Sequence, residues 1–487
     1  MTEKERELYN DRLKKLEALQ KAKVDPYPAK AKRTHTVQKA LSEFAKLETA
    51  SKSIFLAGRI RALRGHGKLV FGDLEDASGS VQILFKADEL EEKIFKLVEF
   101  LDVGDFISTS GTFFSTKAGE KTLQVKSFSL LTKSLRALPE KFHGLHDTET
   151  RLRKRYLDML TNPKVREMIK KKNIFWQTIR SFLTKKGFLE VQTPVLENIP
   201  GGADAEPFKT HHNALDRDFY LRISLELPLK RLLVGGFEKV FEIGRLFRNE
   251  GIDREHLQEY DDVEFYWAYA DLEKGMKLSR EFFLEIIKEV LGEGSSVYQG
   301  NTIDWQQSWP VLDYFTEFKS RTGVDLDQNP SLEELRKVAD KHSIAYETTF
   351  GTGRMIDATF KKLIRPTIIQ PAFIVGHPAA ISPLAKRDPK APNKVLRMQI
   401  IAGGTELCNA FAELNDPVDQ KKRFEEQMKL RESGDKEAQM LDQDFIEALE
   451  YGMPPAFGFG MSERFFAVLR NKPIRETVIF PPMREEI

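Results

Sequence analysis

The 487-residue chain holds one cysteine, Cys408, and only nine scattered histidines. One thiol cannot make a disulfide framework, and no cysteine and histidine set has the spacing of a structural zinc site. Net charge is also scarce: 76 basic and 74 acidic residues leave +2, so a nucleic-acid partner has to be held by a local basic surface. No long apolar run offers a membrane-spanning helix, and the N-terminus lacks the apolar core and cleavage site of a secretory leader. The phosphate loop G-x-x-x-x-G-K-[ST] is missing, and no dinucleotide fingerprint precedes a helix. These absences point to a cytoplasmic protein with no membrane association, too long for one ordinary core, that must bind any nucleotide with something other than a glycine-rich loop.

What is present falls into segments. Leu8, Leu13, Leu16 and Leu19 recur at helical spacing among lysines and arginines, predicting an amphipathic helix within an N-terminal extension, residues 1–50. From 51 to 134 the pattern becomes short alternating strands, with turns at Gly65 to Gly67, Ser78-Gly79 and Ala118-Gly119 and one helix-like stretch from Asp88 to Phe100. Five strands and one helix match the small, partly open barrel whose face binds oligonucleotides. A polar linker, 135–150, leads to one large α+β domain, 151–487. There Val165, Met168, Ile169, Phe175, Ile179, Phe182 and Leu183 form a helical stripe that Gly187 stops, and Pro194 ends the strand that follows.

Three stretches of that domain carry chemistry. Glu242 to Ala270 reads as an antiparallel hairpin around the polar loop Gly251 to His256; alternation puts Arg248 and Glu250 on one face, and Tyr260, Glu264 and Tyr266 likewise on one face. The strand Glu406 to Glu413 aligns Asn409, Phe411 and Glu413 by the same period. Glutamates on an inward face need a cation, supplied by a ligand ammonium or a metal. The run Gly458-Phe459-Gly460-Met461-Ser462-Glu463-Arg464 reads as a turn into a helix with Ser462 as its N-cap, so Arg464 projects where a phosphate is favoured. Together they predict a nucleotide triphosphate and an amino-acid-like cation bound on one antiparallel sheet.

These residues resemble the class II lysyl-tRNA synthetases. Gly187-Phe188-Leu189-Glu190-Val191-Gln192-Thr193-Pro194 is similar to that class's first motif, Phe247-Arg248-Asn249-Glu250-Gly251 to its second, and Gly458 to Arg464 to its third. The lysine branch is indicated by Pro200-Gly201-Gly202-Ala203, His211-His212-Asn213, Ser382-Pro383-Leu384-Ala385-Lys386, Glu413-Leu414-Asn415-Asp416 and Phe480-Pro481-Pro482-Met483. The likeness spans roughly residues 50 to 487 and implies an antiparallel-sheet catalytic domain preceded by an OB-fold barrel.

By the resemblance, Arg248 holds the α-phosphate and the substrate carboxylate, and Arg464 the γ-phosphate of a bent ATP; Glu250, His256, Tyr260 and Glu406 complete the ATP site, with His256 also in the catalytic set. Glu264 and the Gly202 backbone are implied to contact the α-amino group, Glu226, Glu413 and Tyr266 the ε-ammonium, and Asn409 and Phe411 to line the pocket. In the barrel, Arg64, Phe71, Gln82 and Glu120 match anticodon-reading positions, Phe71 offering the stacking surface an unpaired base requires. The implied partners are L-lysine, ATP, tRNA(Lys) and a second copy of the chain, with Mg2+ as cofactor.

Two departures stand out. Glu255 replaces an arginine that usually faces ATP, and Arg254 is expected to substitute for it. Gln399 stands where a metal-binding glutamate is usual, seven residues before Glu406, and would offer its amide oxygen without charge. The rival readings are an aspartate or asparagine enzyme, against which Glu226 and Glu413 argue because two acidic groups would repel an aspartate side chain, a protein-lysine ligase, which would lack the barrel, and a noncatalytic RNA-binding paralogue, against which Arg248, Glu264, Glu406 and Arg464 argue.

Overall fold

A computed structural model describes residues 1–65, 67–139, 147–251, 253–435 and 437–485. The chain divides into two compact units, Met1–His146 and Asp147–Ile487. Among the described residues no helix is long and apolar enough to cross a membrane.

The first unit opens with helix α1 (Glu3–Lys21), started by a capping box in which Thr2 and Glu5 satisfy each other's backbone donors. Leu16 and Leu19 are buried as the helical stripe predicts, but Leu8 is exposed. Arg12 is buried instead, because its guanidinium donates to the carbonyls of Val103, Ser134 and Arg136 at 3.0 to 3.1 Å. Two short helices, Val37–Ser42 and Phe44–Thr49, complete the extension. The barrel strands are β1 (Ile54–Arg64), β2 (Leu69–Asp76), β3 (Gly79–Lys86), β4 (Phe106–Ser115) and β5 (Lys121–Thr132), in the order β1-β2-β3-β5-β4. Pairing of β1 with β4 closes it, so the barrel is not partly open as expected. The helix-like stretch is there as Glu92–Lys96 and a 3-10 turn, Leu97–Phe100, and Gly119 sits at positive φ in the expected β4–β5 turn. Residue 66 of the first expected turn, and 140–146 of the expected linker, lie outside the described residues.

In the second unit, helix α2 (Pro163–Lys185) begins at an Asn162 cap and buries Val165, Met168, Phe175, Ile179 and Leu183; Gly187, at φ +84°, ends it. Besides three small sheets of two or three strands, it holds the strands β6 (Leu189–Glu190), β7 (Lys239–Phe247), β8 (Glu259–Ala268), β9 (Val311–Asp313), β10 (Ala372–Val375), β11 (Arg397–Ala402), β12 (Thr405–Ala412) and β13 (Ala456–Ser462). They form one sheet, β9-β10-β11-β12-β13-β8-β7-β6, antiparallel except at its two edge pairings. Helices α2 and α4 (Leu272–Leu291) cover one face over a core rich in aromatics, among them Phe175, Phe265, Phe282, Phe283 and Phe459. On the other face α3 (Glu226–Val234) and α5 (Gln443–Glu450) shelter a second cluster, in which Leu227, Leu246, Tyr266, Phe411 and Phe445 meet. Helix α6 (Arg464–Leu469) follows β13 directly.

Two local expectations are corrected. β7 ends at Phe247: Arg248 N–H still reaches the Gln258 carbonyl in register, but Asn249 N–H turns away to the carbonyl of Glu206, so Arg248 to Glu250 lie beyond the strand. Ser462 is the last residue of β13, not the helix cap; that place falls to Glu463, while the Ser462 hydroxyl accepts from Arg464 N–H at 3.3 Å.

Candidate active site

The face of β7, β8, β12 and β13 that looks away from α2 and α4 collects most of the implied residues. Alternation along β8 sends Val263 and Phe265 into the aromatic core, leaving Tyr260, Asp262, Glu264 and Tyr266 on the opposite side. Glu264 is buried and fully engaged: Ser224 Oγ and Leu225 N–H both donate to its Oε1 at 2.8 Å, and Tyr266 donates to Oε2 at 2.8 Å. Burial pushes its carboxyl up, and those donors and Arg248 pull against it. Gly202, at φ +88°, presses on this corner; a Cβ there would come within 2.9 Å of Ser224 and Glu226, so the close backbone approach requires glycine.

Glu226 and Glu413, from α3 and the end of β12, meet in the floor of the site. Between them lies a cation the sequence reading had not placed: Lys230, fully buried, is bonded to Glu226 and paired with Glu413. Its ammonium stands 5.4 Å from the Phe411 ring and 5.9 Å from that of Phe445. Burial pushes Glu226 up to about 7 against the pull of Lys230, and pushes Glu413 well up as well. Glu413 Oε1 has no hydrogen-bond partner. Asn409, on β12, is held by Arg397, whose Nε donates to it at 2.7 Å. Arg397 was legible from the two-residue period that links it to Gln399; Lys230 was not, since Glu and Lys four apart on a helix ordinarily mark a solvated face.

The second half of the site is cationic. Arg248 lies 5.5 Å from the Tyr260 ring, its Nε is buried without a partner, and its guanidinium makes a long bond, 3.4 Å, to the Ile223 carbonyl. Asp262 is buried beside it with Oδ1 unpaired; burial and then Glu264 push its carboxyl well up. Arg464 reaches the carbonyls of Glu255 and Glu406 at 3.3 and 3.4 Å. Glu255 accepts from the Thr405 hydroxyl at 2.9 Å, which ties it to the strand end that carries Glu406. Arg254 is exposed, its guanidinium 5.7 Å from the Tyr298 ring, and His256 is exposed and bonded to Asp253 at 2.8 Å. Glu250 is half-buried, its carbonyl accepting from Gln258. Residue 252 of this loop lies outside the described residues.

For a metal, Glu406 is half-exposed on the site side of β12, and Gln399 is buried on β11 near His377. Among the described residues no three His, Cys, Asp or Glu side chains form a cage. One carboxylate suits a magnesium ion that takes its other ligands from phosphates and water.

In the barrel, Arg64, Phe71 and Gln82 share one outward surface: Arg64 pairs with Phe71 across β1 and β2, and Asp73 with Gln82 across β2 and β3. Phe71 is half-buried and belongs to no core cluster, while Gly72, Leu74 and Ile83 point inward. Thr122 donates to Gln82 at 2.7 Å, and Arg64 to Asp73 at 3.0 Å. Glu120 is exposed in the turn that leads into β5.

A long antiparallel sheet with a set of buried acids on one face, two arginines from the loop and helix that follow its strands, and a separate five-stranded barrel define an aminoacyl-tRNA synthetase of the second class. Comparison agrees: residues 147–484 match the model of "tRNA synthetases class II (D, K and N)", and 54–131 match "OB-fold nucleic acid binding domain", so the chain belongs to that synthetase family. Within it, the chain is 46% identical to a lysine--tRNA ligase of Moorella thermoacetica over 99% of both chains. It is 45% identical to one from Carboxydothermus hydrogenoformans and 42% identical to one from Bacillus subtilis, in both cases over 98% of each chain.

Proposed function

We propose that this chain joins L-lysine to tRNA(Lys): it activates lysine with ATP and passes the lysyl group to the 3′ end of the tRNA. The observation that carries the amino-acid choice is Glu413 Oε1, a buried acceptor with no partner, set beside Glu226 and Tyr266. An unpaired buried acceptor is costly, and an ammonium removes the cost. An aspartate side chain would meet two carboxylates there instead.

In the first step a lysine carboxylate oxygen attacks the α-phosphorus of ATP and the bond to pyrophosphate breaks. No general base is needed, since the carboxylate is already ionised. The protein's part is placement and charge: Glu264 and the Gly202 backbone hold the α-ammonium, Glu226, Glu413 and Tyr266 the ε-ammonium, with Asn409 and Phe411 as walls. Arg248 spans the α-phosphate and lysine carboxylate, Tyr260 stacks on adenine, and Arg464 takes the γ-phosphate. Glu250, Arg254 and His256 border the nucleotide. Glu406, with the Gln399 amide, would hold a magnesium ion, which would supply positive charge against the phosphates. In the second step the terminal 3′-hydroxyl of the tRNA attacks the lysyl-adenylate and releases AMP. A cytoplasmic homodimer completes the proposal; exposed Leu189, Val195 and Leu196 beyond α2 offer apolar surface for a second copy. Sedimentation giving a monomer at every concentration contradicts that state.

The test is amino-acid-dependent ATP–pyrophosphate exchange with all twenty amino acids and no tRNA. Exchange with lysine alone is expected. Exchange with another amino acid overturns the roles of Glu226 and Glu413, and none at all makes the chain a binder without chemistry.

The barrel is tested separately. Phe71→Ala should leave exchange unchanged and raise the KM for tRNA about 5- to 100-fold, the size of one lost base stack. Because Phe71 lies outside the core, the melting temperature should hardly move. Equal charging by both proteins removes Phe71 from the RNA surface.

A further inference from the structure

The pocket assigned to the substrate ammonium already contains one. Lys230 lies one helical turn after Glu226 on α3 and is fully buried, its ammonium bonded to Glu226 and paired with Glu413. A buried ammonium is costly unless it is doing something for its neighbours. We infer that Lys230 is the positioning residue of the side-chain pocket: it takes one oxygen from each of Glu226 and Glu413, holds the two carboxylates together, and reduces their joint charge to match one ammonium. This rests on the assignment of Glu226 and Glu413 to the lysine ε-ammonium.

The charge count is direct. When both are ionised the two carboxylates carry −2 and Lys230 carries +1, leaving −1 for a substrate side chain of +1. Two facing carboxylates in a dry site do not both stay ionised unless a cation stands between them. The spare acceptor is visible: neither Glu413 oxygen makes a hydrogen bond, but Oε2 is in ion-pair contact with Lys230, whereas Oε1, buried against Gly458, meets no cation. The other ionisable groups facing the trio are Glu264 and Tyr266 from β8 and Arg397 from β11; Phe445 of α5 and Gly458 of β13 bring no charge. Tyr266 is committed to Glu264, and Arg397 to Asn409, Ile381 and Ser382. Lys230 is thus the only cation in direct contact with both carboxylates among the described residues. Burial raises both carboxyl groups and Lys230 lowers both, so its loss lifts them further.

The experiment uses the full chain and lysine-dependent pyrophosphate exchange between pH 6 and 8.5. Lys230→Met should raise the lysine KM at pH 7 by roughly 10- to 100-fold, the size of one charge-assisted hydrogen bond, and leave the ATP KM nearly unchanged. The deficit should shrink as pH rises, because the acid limb of kcat/KM for lysine moves upward. The double variant Lys230→Met, Glu226→Gln restores a joint charge of −1. It should recover a limb near the wild-type one and bind lysine at least as well as Lys230→Met alone, despite lacking two polar groups. It should also melt higher, so the test stands if the single variant does not fold. A pH-independent loss shared by lysine and ATP, or a double variant whose defects simply multiply, overturns the inference. If wild-type protein exchanges with lysine and the variants behave in that way, only the role of Lys230 falls; if wild type does not exchange with lysine, the pocket assignment itself has failed.

Discussion

Arg248→Ala is expected to lower lysine-dependent pyrophosphate exchange by about 10³-fold, at the upper end of what one preorganised charge-stabilising donor supplies. The guanidinium is placed from two directions: its backbone N–H is fixed on the Gln258 carbonyl at 2.8 Å, and its plane lies by Tyr260. Yet the charged end is nearly idle, with Nε buried and unpartnered and one 3.4 Å bond to a carbonyl. Burial works against its charge, and Tyr260, Glu250, Asp262 and Glu264 more than compensate, so it stays a cation. A cation held ready with its donors unspent is what a developing pentavalent phosphorus needs, and the variant removes it without removing a native ion pair. Stability should therefore change little. A secondary effect follows by electrostatics: Arg248 pulls the Glu264 carboxyl down, so its loss lets burial raise Glu264 further and weakens binding of the α-ammonium at neutral pH. Both substrate KM values should rise. Arg248→Lys keeps the charge but not the planar fork, and should recover no more than part of the activity. Exchange within tenfold of wild type in the alanine variant would remove Arg248 from the chemistry.

Much of this site was legible because strand alternation is a rigid rule. The two-residue period placed Tyr260, Glu264 and Tyr266 together, and Asn409 with Phe411, and the sheet puts each set on the face sheltered by α3 and α5. The barrel followed from five strands and their turns in the same way. What escaped depends on contacts between elements distant in sequence. Lys230 looks like half of a surface pair on α3, and only the packing of that helix on β12 and α5 turns it inward to Glu413 and Phe445. Leu8 fits the helical stripe of α1, but the carbonyls that capture Arg12 come from residues 103, 134 and 136, which periodicity cannot see. Arg248 looked like a strand residue because Phe247 continues the apolar pattern; the bond that draws the chain out of the ladder runs from Asn249 N–H to the Glu206 carbonyl, a partner distant in sequence. Glu255, noted as a departure, is bound to Thr405 across 150 positions of sequence, and Arg254 stands by Tyr298.

Gly458→Ala should raise the lysine KM by roughly 100-fold, about one strong charge-assisted hydrogen bond, while the ATP KM moves far less. Gly458 lies in the middle of β13, paired with Tyr266 on one side and Phe411 on the other, so its missing side chain is what lets the pocket floor exist. A Cβ added there would come to 1.9 Å of Glu413 Oε1 and 2.6 Å of Tyr266 Cε1. Neither neighbour has room to yield: Glu413 is fully buried against Lys230, and Tyr266 is buried and donates to Glu264. The backbone of Gly458 is not at positive φ, so alanine is allowed conformationally and the whole penalty is collision. Forcing one extra carbon into a packed site costs about 1 to 3 kcal/mol of stability, read by denaturant unfolding. Gly460→Ala gives the comparison on the same strand, because its Cβ would meet Glu264 Cγ at 3.5 Å, an ordinary contact. That variant should unfold close to wild type, which separates collision with Glu413 from any general cost of alanine in β13. A Gly458→Ala chain that binds lysine as well as wild type would mean that the oxygen it displaces is not the one that holds the substrate.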